Sequence, residues 1–455
     1  MRLCKSRSAS VACFNRHRLP ALAALACAVV TVLSAAPSSV FAQEDAAPAS
    51  PGLVAEQPAE GRFVKTDRGY MVPYEMTIPG TDVAFEMVPI PGGTFTMGSP
   101  PDEEGRQEDE GPQVEVKVAP FWIGKYEITW EEYQQYMRMY DVFKDLATLR
   151  STLVKVDEET TQRLQQRTAL TEALDKYNAL QQRLALTRDL ADAITAPTKL
   201  YEPSFTFEFG EEPRQPAVTM TQYAAKQYTK WLSRLTGEFH RLPGEAEWEY
   251  ACRAGTTTAY SFGDDPAELG EYAWYFENFD FKTSEVGKKK PNPWGLYDMH
   301  GNVAEWVLDE YKPQTYEQFA GGPVSAEEAI VWPTVEFPRV VRGGHWDSDP
   351  EGCRSAARMA SHDVDWKSLD PNLPLSPWWF TSDPARGVGF RIVRPLDAPP
   401  ESKHGKYWEA DVDAIRSAVA DRLREGRGAQ ETIDPLLPEV IEQLRAVKES
   451  VNENN

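Results

Sequence analysis

The segment Asn292–Tyr311, NPWGLYDMHGNVAEWVLDEY, carries the most information about the fold. Asp298 and Glu305 flank a glycine-containing turn. Backbone carbonyls of such a turn, pointing inward together with two carboxylates, make an oxygen cage of the kind that calcium accepts. An acidic turn closed by aromatic packing is the alternative interpretation of the same residues.

The N-terminus predicts export. The first 42 residues contain five basic residues and no acid, then an apolar run from Leu19 to Ala36, and small residues before a cleavage point after Ala42. We therefore expect a signal peptide at 1–42 and a periplasmic or secreted protein. A membrane anchor is the alternative, but the run contains Pro20, so no membrane span is expected in the mature chain.

Charge excludes one class of partner. The 455 residues have a net charge of −22, and loss of the five basic residues at the N-terminus makes it −27. Such a chain cannot bind nucleic acid by neutralising phosphates. The large number of acidic residues is explained either by calcium binding or by solubility alone.

The pattern of apolar residues, Gly and Pro divides the mature chain into segments. Residues 43–80 are expected to be a linker or N-terminal extension, and from Phe85 onward short β-branched and aromatic runs between Gly and Pro predict short strands with many turns. Apolar spacings of three and four within 141–196 predict a helical hairpin inserted into a domain at 81–396. Another helix is expected between Thr219 or Thr221 and Gly237. Residues 397–455 are predicted to form a helical tail.

Six motifs resemble one known family, the formylglycine-generating enzymes or sulfatase-modifying factors. They occur in the family's order and are PGGTFTMGS (91–99), YEIT (126–129), RLPGEAEWEYACRAG (241–255), GLYDMHGNVAEW (295–306), VVRGGHW (340–346) and GFRIVR (389–394). The resemblance implies an α+β fold of the C-type-lectin-like kind, with little regular secondary structure. The hairpin and the tail are additions to that pattern.

The resemblance also implies a calcium site. Its ligands would be the side chains of Asp298 and Glu305 and the carbonyls of Met299, Gly301 and Val303. His300 is not expected to be a ligand, because calcium prefers oxygen.

The family's catalytic chemistry depends on cysteines that this chain does not fully have. Family enzymes oxidise a cysteine of sulfatases with copper held by two thiolates, five positions apart, after the Arg-Gly-Gly turn. Counted forward from Arg342, those positions are Ser348 and Cys353, so one thiol is absent and copper is not expected.

Counted backward from the segment RSAAR (354–358), Cys353 instead falls just before the strand where the family often carries a structural cysteine. Its partner would then be Cys252, and after loss of the signal peptide these are the two remaining cysteines. A Cys252–Cys353 disulfide is therefore predicted, as suits an exported protein. A free, reactive Cys353 is the alternative, which the nearby carboxylates disfavour.

Three function classes remain open at this stage. They are a sulfatase-modifying oxidoreductase with an altered site, a calcium-braced module that binds a protein or glycan of the envelope or extracellular space, and an assembly component that docks through the hairpin and tail. Aromatic residues in the late loops are either exposed recognition anchors or part of the core, and they are Trp366, Trp378 and Trp379. A second metal site, formed by His345, Asp347, Asp349 and His362, is disfavoured by the scattered histidines, and no kinase signature is present.

Overall fold

The computed structural model describes residues 50–139, 191–192, 207–208, 210–361, 363–369, 379–380, 382, 385–425 and 430–431. These residues form a mixed α+β fold, as predicted. The predicted signal peptide at 1–42 lies outside the described residues. So does the predicted hairpin at 141–196, except for a short strand at Ala191–Asp192 that pairs with Gln430–Glu431.

Strands are short throughout the described residues. They are β1 (Leu53–Val54), β2 (Val64–Thr66), β3 (Gly69–Met71), β4 (Tyr74–Thr77), β5 (Ala84–Ile90), β6 (Gly93–Met97), β7 (Val114–Val118), β8 (Phe121–Gly124), β9 (Ala191–Asp192), β10 (Ala304–Glu310), β11 (Val324–Ser325), β12 (Arg339–Arg342), β13 (Arg358–Ala360), β14 (Val388–Gly389), β15 (Val393–Pro395) and β16 (Gln430–Glu431). Their lengths confirm the expectation of short strands separated by many turns.

Several small sheets replace one large sheet. Two have four strands, in the orders β13-β12-β10-β14 and β15-β8-β5-β4. Two have three strands, in the orders β1-β3-β2 and β11-β7-β6. The first four-stranded sheet matters most for function, because β10 carries Glu305 and β12 ends at Arg342.

Six α-helices accompany the sheets in the part of the chain that the structure describes. They are α1 (Trp130–Met137), α2 (Gln222–Thr236), α3 (Glu245–Arg253), α4 (Asp363–Trp366), α5 (Gly405–Trp408) and α6 (Asp413–Arg424).

The predicted boundaries of α2 are confirmed. The Thr221 side chain accepts a hydrogen bond from the Ala224 N–H, which satisfies a donor that the first helical turn leaves unpaired. Gly237 ends the helix with φ +74°, a conformation that glycine adopts without steric cost.

Large aromatic side chains fill the core, as the abundance of tryptophan suggested. Tryptophans that are essentially fully buried are Trp122, Trp130, Trp231, Trp248, Trp306, Trp366 and Trp379. The prediction that Trp366 and Trp379 are exposed anchors is therefore wrong. Both lie in the main core, where Trp366 packs edge-on against Phe380 and near Trp306. Trp378 is outside the described residues.

The segments before and after the predicted domain are folded and contact it. The segment predicted as a linker up to residue 80 contains β1 to β4, because side chains such as Met71 and Ile78 enter the core. After residue 397, α5 and α6 confirm part of the helical tail. The indole N–H of Trp408 donates to the His240 carbonyl at 2.9 Å, so α5 is docked against the domain.

Candidate functional site

The turn after β12 leads to Ser348 and Cys353, the two positions that the forward count from Arg342 assigns to the family's thiol pair. Gly343 and Gly344 have φ values of +100° and +70°. A Cβ on Gly344 would lie 2.8 Å from the Cys353 sulfur and 2.9 Å from the Gly352 carbonyl oxygen. The two glycines therefore allow the turn to pack directly on the 3₁₀ helix Pro350–Cys353.

A buried arginine–glutamate network, consisting of Arg342, Arg358, Glu245 and Glu249, fixes the start of this turn. Arg342 donates to Glu249 at 2.6 Å and to Glu245 at 3.2 Å, and Arg358 donates to Glu245 at 2.7 Å. Burial alone would raise the pKa of Glu245, but Arg358 and Arg342 hold it below its ordinary value. Arg253 also donates to Glu249, at 2.9 Å, so each carboxylate of the network is paired with guanidinium groups.

The thiols are inaccessible. Cys353 and Cys252 each have 0% of their surface exposed. Burial raises the pKa of Cys252 to about 12 and raises that of Cys353 further, helped by the negative charge of Asp349. Both sulfurs are therefore protonated at neutral pH, which is the form that neither binds copper nor attacks a substrate.

The predicted Cys252–Cys353 disulfide is not formed in the structure, where both cysteines are free. The Cys252 sulfur lies 3.6 Å from the Ser355 hydroxyl and 3.5 Å from the Met299 carbonyl oxygen. Thus the side chain that faces Cys252 belongs to Ser355, two residues after Cys353. The pairing itself stays a prediction.

Both histidines near the turn are buried and neutral. Burial lowers the pKa of His300 and of His345 to about 4. The His300 Nε2 accepts from the Ser261 N–H at 3.1 Å, so its Nδ1 carries the proton and donates to the Cys353 carbonyl at 2.9 Å. His300 is thus bonded within the fold, as predicted.

A second charged group, which we call the acid cluster, lies beneath the Gly-Leu-Tyr turn. It consists of Glu127, Asp298 and Glu305 with Arg391. Burial raises the pKa of Glu127 well above its ordinary range, and the negative charges of Asp298 and Glu305 add to the shift. Burial also raises the pKa of Asp298 to about 6. Three acids therefore face one guanidinium.

The predicted calcium ligands occupy different local environments. Asp298 is 2% exposed, with one carboxylate oxygen accepting from the Gly287 N–H at 2.7 Å and the other, Oδ1, without a partner. Glu305 is fully buried and accepts from Arg391 at 2.5 and 2.6 Å and from the Trp248 indole at 2.7 Å.

The three predicted backbone ligands lie in the same turn. The Met299 carbonyl accepts a weak hydrogen bond from the Cys252 sulfur. A Cβ on Gly301 would lie 2.3 Å from the Trp274 carbonyl oxygen, so this position requires glycine. The Val303 N–H donates to Glu127 at 3.0 Å, which links the turn to the acid cluster.

These donors fit a calcium ion in part. The unpaired, buried Asp298 oxygen and the excess of acids over arginine both favour a cation. Against this, both Glu305 oxygens are already bonded, and within the described ranges no group of three His, Cys, Asp or Glu side chains is arranged to hold a metal. The second site considered at His345, Asp347 and Asp349 is equally unsupported among those residues, and His362 lies outside them.

Comparison with known proteins identifies the family. Residues 78–368 match the domain described as "Sulfatase-modifying factor enzyme 1-like domain". The chain belongs to this family. This sulfatase-modifying factor domain is preceded by β1 to β4 and followed by α5 and α6, so the folded part extends beyond the matched range on both sides. Nor is any helix among the described residues both long and apolar enough to cross a membrane.

Relatives of this sulfatase-modifying factor protein have diverse names. It is 29% identical over 332 residues to serine/threonine-protein kinase pkn1 of Chlamydia pneumoniae, which covers 73% of this chain and 43% of that protein. It is 25% identical over 250 residues to formylglycine-generating enzyme of Thermomonospora curvata, covering 50% of this chain and 72% of that enzyme. The chain thus spans about two fifths of the length of the kinase-named relatives it matches.

Among solved structures, PvdO from Pseudomonas aeruginosa is similar to this sulfatase-modifying factor protein. The two are 29% identical, and the match covers 70% of this chain and 97% of PvdO with a TM-score of 0.45.

Two residues of the site were not singled out from the sequence. Glu127 comes from the YEIT motif, and its oxygens accept from the Val303 N–H and the Asn302 side chain. Arg391 comes from the GFRIVR motif and holds Glu305. The available signal was a charged residue inside an otherwise apolar run, which implies a buried partner.

Proposed function

We propose that this protein is an exported, calcium-braced binding or assembly module of the sulfatase-modifying factor family that lacks formylglycine-generating oxidase activity. One observation carries the proposal: Ser348 stands where the first copper-binding thiol is expected, and Cys353, at the second position, is completely buried. A hydroxyl is a hard donor and is a poor ligand for copper(I).

The surroundings of Ser348 support a structural role. Its hydroxyl accepts from the His345 N–H at 2.9 Å, and its own N–H donates to the His345 carbonyl at 2.8 Å. These bonds close the turn on itself. Because Cys353 is packed under Gly344, a copper ion would have to displace the turn in order to reach that sulfur.

Calcium bracing rests on the acid cluster. Asp298 would supply its unpaired oxygen, and an ion beside it would offset the buried negative charge that Arg391 alone leaves uncompensated. Glu305 would share an oxygen with Arg391. Export rests on the N-terminal sequence, and an oxidising destination is compatible with the predicted disulfide.

An enzyme with an altered site is the second candidate, favoured by the family's chemistry and by the formylglycine-generating relative. The test is to incubate the purified protein with copper(I), oxygen and a peptide that carries the sulfatase cysteine, and to measure peptide aldehyde by mass spectrometry. We expect no aldehyde above the level of a Cys353→Ser variant. Aldehyde formation by the natural protein that the Cys353→Ser change abolishes would overturn the proposal.

A further inference from the structure

A small pocket, which we call the α1 pocket, opens beside the start of α1. It has a volume of about 100 Å³, which is several times the space that one water molecule needs. Its walls come from β5, from the end of β8, from residues 126–128 and from Ile392, just before β15. None of its lining residues, all of which are described, belongs to the turn that holds Ser348.

Glu132 lines the α1 pocket with a carboxylate that is only partly bonded. The residue is 5% exposed. One carboxylate oxygen, Oε2, accepts from the Thr129 N–H at 2.9 Å and from the Thr129 hydroxyl at 2.6 Å. The other oxygen, Oε1, has no hydrogen-bond partner within the described part of the chain. A buried carboxylate therefore keeps one oxygen available to a ligand in the pocket.

The contacts with Thr129 do not themselves require a negative charge. They form a capping box at the start of α1, a role that glutamine fills as well as glutamate does. Glutamine would also avoid the cost of burying an ionisable group. Burial raises the pKa of Glu132 to about 7, although the hydrogen bonds from Thr129 and the charge of Arg214 act in the opposite direction. A bound cation explains an acid at this position better than capping does.

The charges around the α1 pocket favour a cation over an anion. Of its described lining residues one is an arginine, Arg214, and four are glutamates, namely Glu75, Glu86, Glu127 and Glu132. Arg214 donates to Glu131 at 3.0 Å, and Glu86 accepts from Lys125 at 2.8 Å, so these two cations are already paired with other acids. The free oxygen of Glu132 has no such cation bonded to it.

The apolar walls of the α1 pocket select the kind of cation. They belong to Ala84, Phe85, Ile128 and Ile392, of which the last three are at most 6% exposed. Methylene groups pack on such walls, whereas a calcium or magnesium ion needs six or more oxygen ligands. Nor do the described ranges contain a group of three side chains suited to a metal. An ammonium group on a short alkyl chain fits both the carboxylate and the walls.

We propose that the α1 pocket binds a primary alkylammonium group, with the Glu132 carboxylate as its counter-ion. Such a group carries three N–H donors and forms charge-assisted hydrogen bonds with carboxylate oxygens. Free aliphatic amines and lysine side chains of a partner protein both end in this group. The inference goes beyond the proposed function and does not depend on it, because it uses neither the thiols nor the unpaired oxygen of Asp298.

The first test titrates the purified protein with n-butylamine at pH 8, where the amine is protonated, and measures binding by ligand-detected NMR. Glu132→Gln keeps an oxygen for Thr129 but removes the charge, so it should weaken binding at least about tenfold. Glu328→Gln is the matched control, because Glu328 accepts the same pair of bonds from Ser325 at an exposed site. No saturable binding by the natural protein, or equal affinity of the two variants, would overturn the proposal.

The second test asks which sign of charge the α1 pocket selects. Arg214→Gln removes a cation that repels the ammonium group and should strengthen n-butylamine binding about threefold. The pair of Arg214 with Glu131 is partly exposed, so its loss should leave the fold intact. Arg416→Gln removes an exposed arginine that does not line the pocket and should leave the affinity unchanged. Weaker binding by Arg214→Gln alone would mean that the arginine holds the ligand, and would refute the proposal.

Two further ligands define the chemistry and its source. n-Butanol has the same chain without the charge and should bind at least about tenfold more weakly, and equal binding would refute the proposal. Lysine blocked at both backbone ends represents a partner's side chain. If it binds as tightly as n-butylamine, the source is a protein partner, whereas binding of n-butylamine alone assigns the pocket to a free amine. The proposed function is judged separately, by aldehyde formation.

Discussion

The arginine–glutamate network and the acid cluster are two buried charge groups joined by one turn, and they differ in balance. In the network every carboxylate is bonded to a guanidinium, and Arg253, which also pairs with Glu249, makes three arginines for two glutamates. The acid cluster has three acids for one arginine and leaves an Asp298 oxygen unpaired. A group whose carboxylates are all paired with cations needs no cation from outside the chain, whereas a group with an excess of acids must stay partly protonated or take up a cation.

The position of the two groups makes the contrast informative. Arg342 belongs to the network, and four residues later the Trp346 N–H bonds to Asn302, whose side chain bonds to Glu127 of the acid cluster. One end of the turn is therefore held by carboxylates that are all paired with arginines. The other end contacts an acid cluster whose excess negative charge a bound metal ion would offset.

Replacing Arg342 should have the largest effect. Arg342→Met would leave Glu245 and Glu249 buried with fewer partners, and removal of one member of a buried ion pair costs about 3–5 kcal/mol of unfolding free energy. Urea unfolding measures this loss. Arg416→Met is the control, because its pair with Asp413 is exposed and should change stability by no more than about 0.5 kcal/mol. A similar loss in both variants would contradict the assigned role of the network.

Calcium should have the next largest effect, and it should act through the acid cluster. At a free concentration of about 100 times its Kd, calcium would stabilise the fold by about 2.7 kcal/mol, and a chelator would reverse this. Asp298→Asn should remove the response while keeping an acceptor for the Gly287 N–H. Asp413→Asn, an exposed acid, should retain the response. Chelator-insensitive unfolding of the natural protein would show that Arg391 suffices without a metal.

The smallest expected effect concerns pH and the turn between the two groups. His345 titrates near 6.5 when unfolded but has a folded pKa of about 4, so the unfolded chain takes up its proton first as pH falls. Stability from this residue is thus complete well above pH 6.5 and is lost as pH falls from 6.5 toward 4, and between pH 7 and pH 5.5 the loss should be about 1.2 kcal/mol.

Comparing unfolding free energies of the natural protein and His345→Asn across this pH range measures the effect. The variant should lose less stability on acidification, while the amide oxygen of the introduced side chain can still accept from the Asp347 N–H. Identical pH profiles would mean that the pKa of His345 is the same in the folded and the unfolded chain, which would contradict its burial as a neutral ring.

Local signals made part of this structure predictable. The ends of α2 followed from Thr221 and Gly237, because capping and left-handed conformation are properties of a few neighbouring residues. The family motifs predicted the Gly-Leu-Tyr turn and the placement of Asp298 and Glu305 near one another. The expectation that His300 is bonded within the fold is confirmed by its contacts with Ser261 and Cys353.

Contacts between residues that are distant in sequence could not be predicted from local patterns. Trp366 lies next to charged and polar residues, yet it is buried against Trp306, and Trp379 packs on Tyr133, so the burial of both depends on partners that are distant in sequence. Glu127 lies near Asp298 in the fold although more than half of the domain's sequence separates them. The spacing of residues along the chain cannot predict such a contact. The side chains around Cys252 also come from distant parts of the chain, since its sulfur lies 3.6 Å from the Ser355 hydroxyl and 3.8 Å from the His300 ring.

Docking of α5 on α2 has a practical consequence for where this protein can be divided. The Lys226 and Lys230 ammonium groups, each only 3% exposed, are paired with Asp411 and Glu409, and Gln227 donates to the Trp408 carbonyl. A polypeptide trimmed at the end of the family match would uncover these lysines and also lose strand β15. The smallest unit that folds independently is therefore longer than the segment that homology outlines.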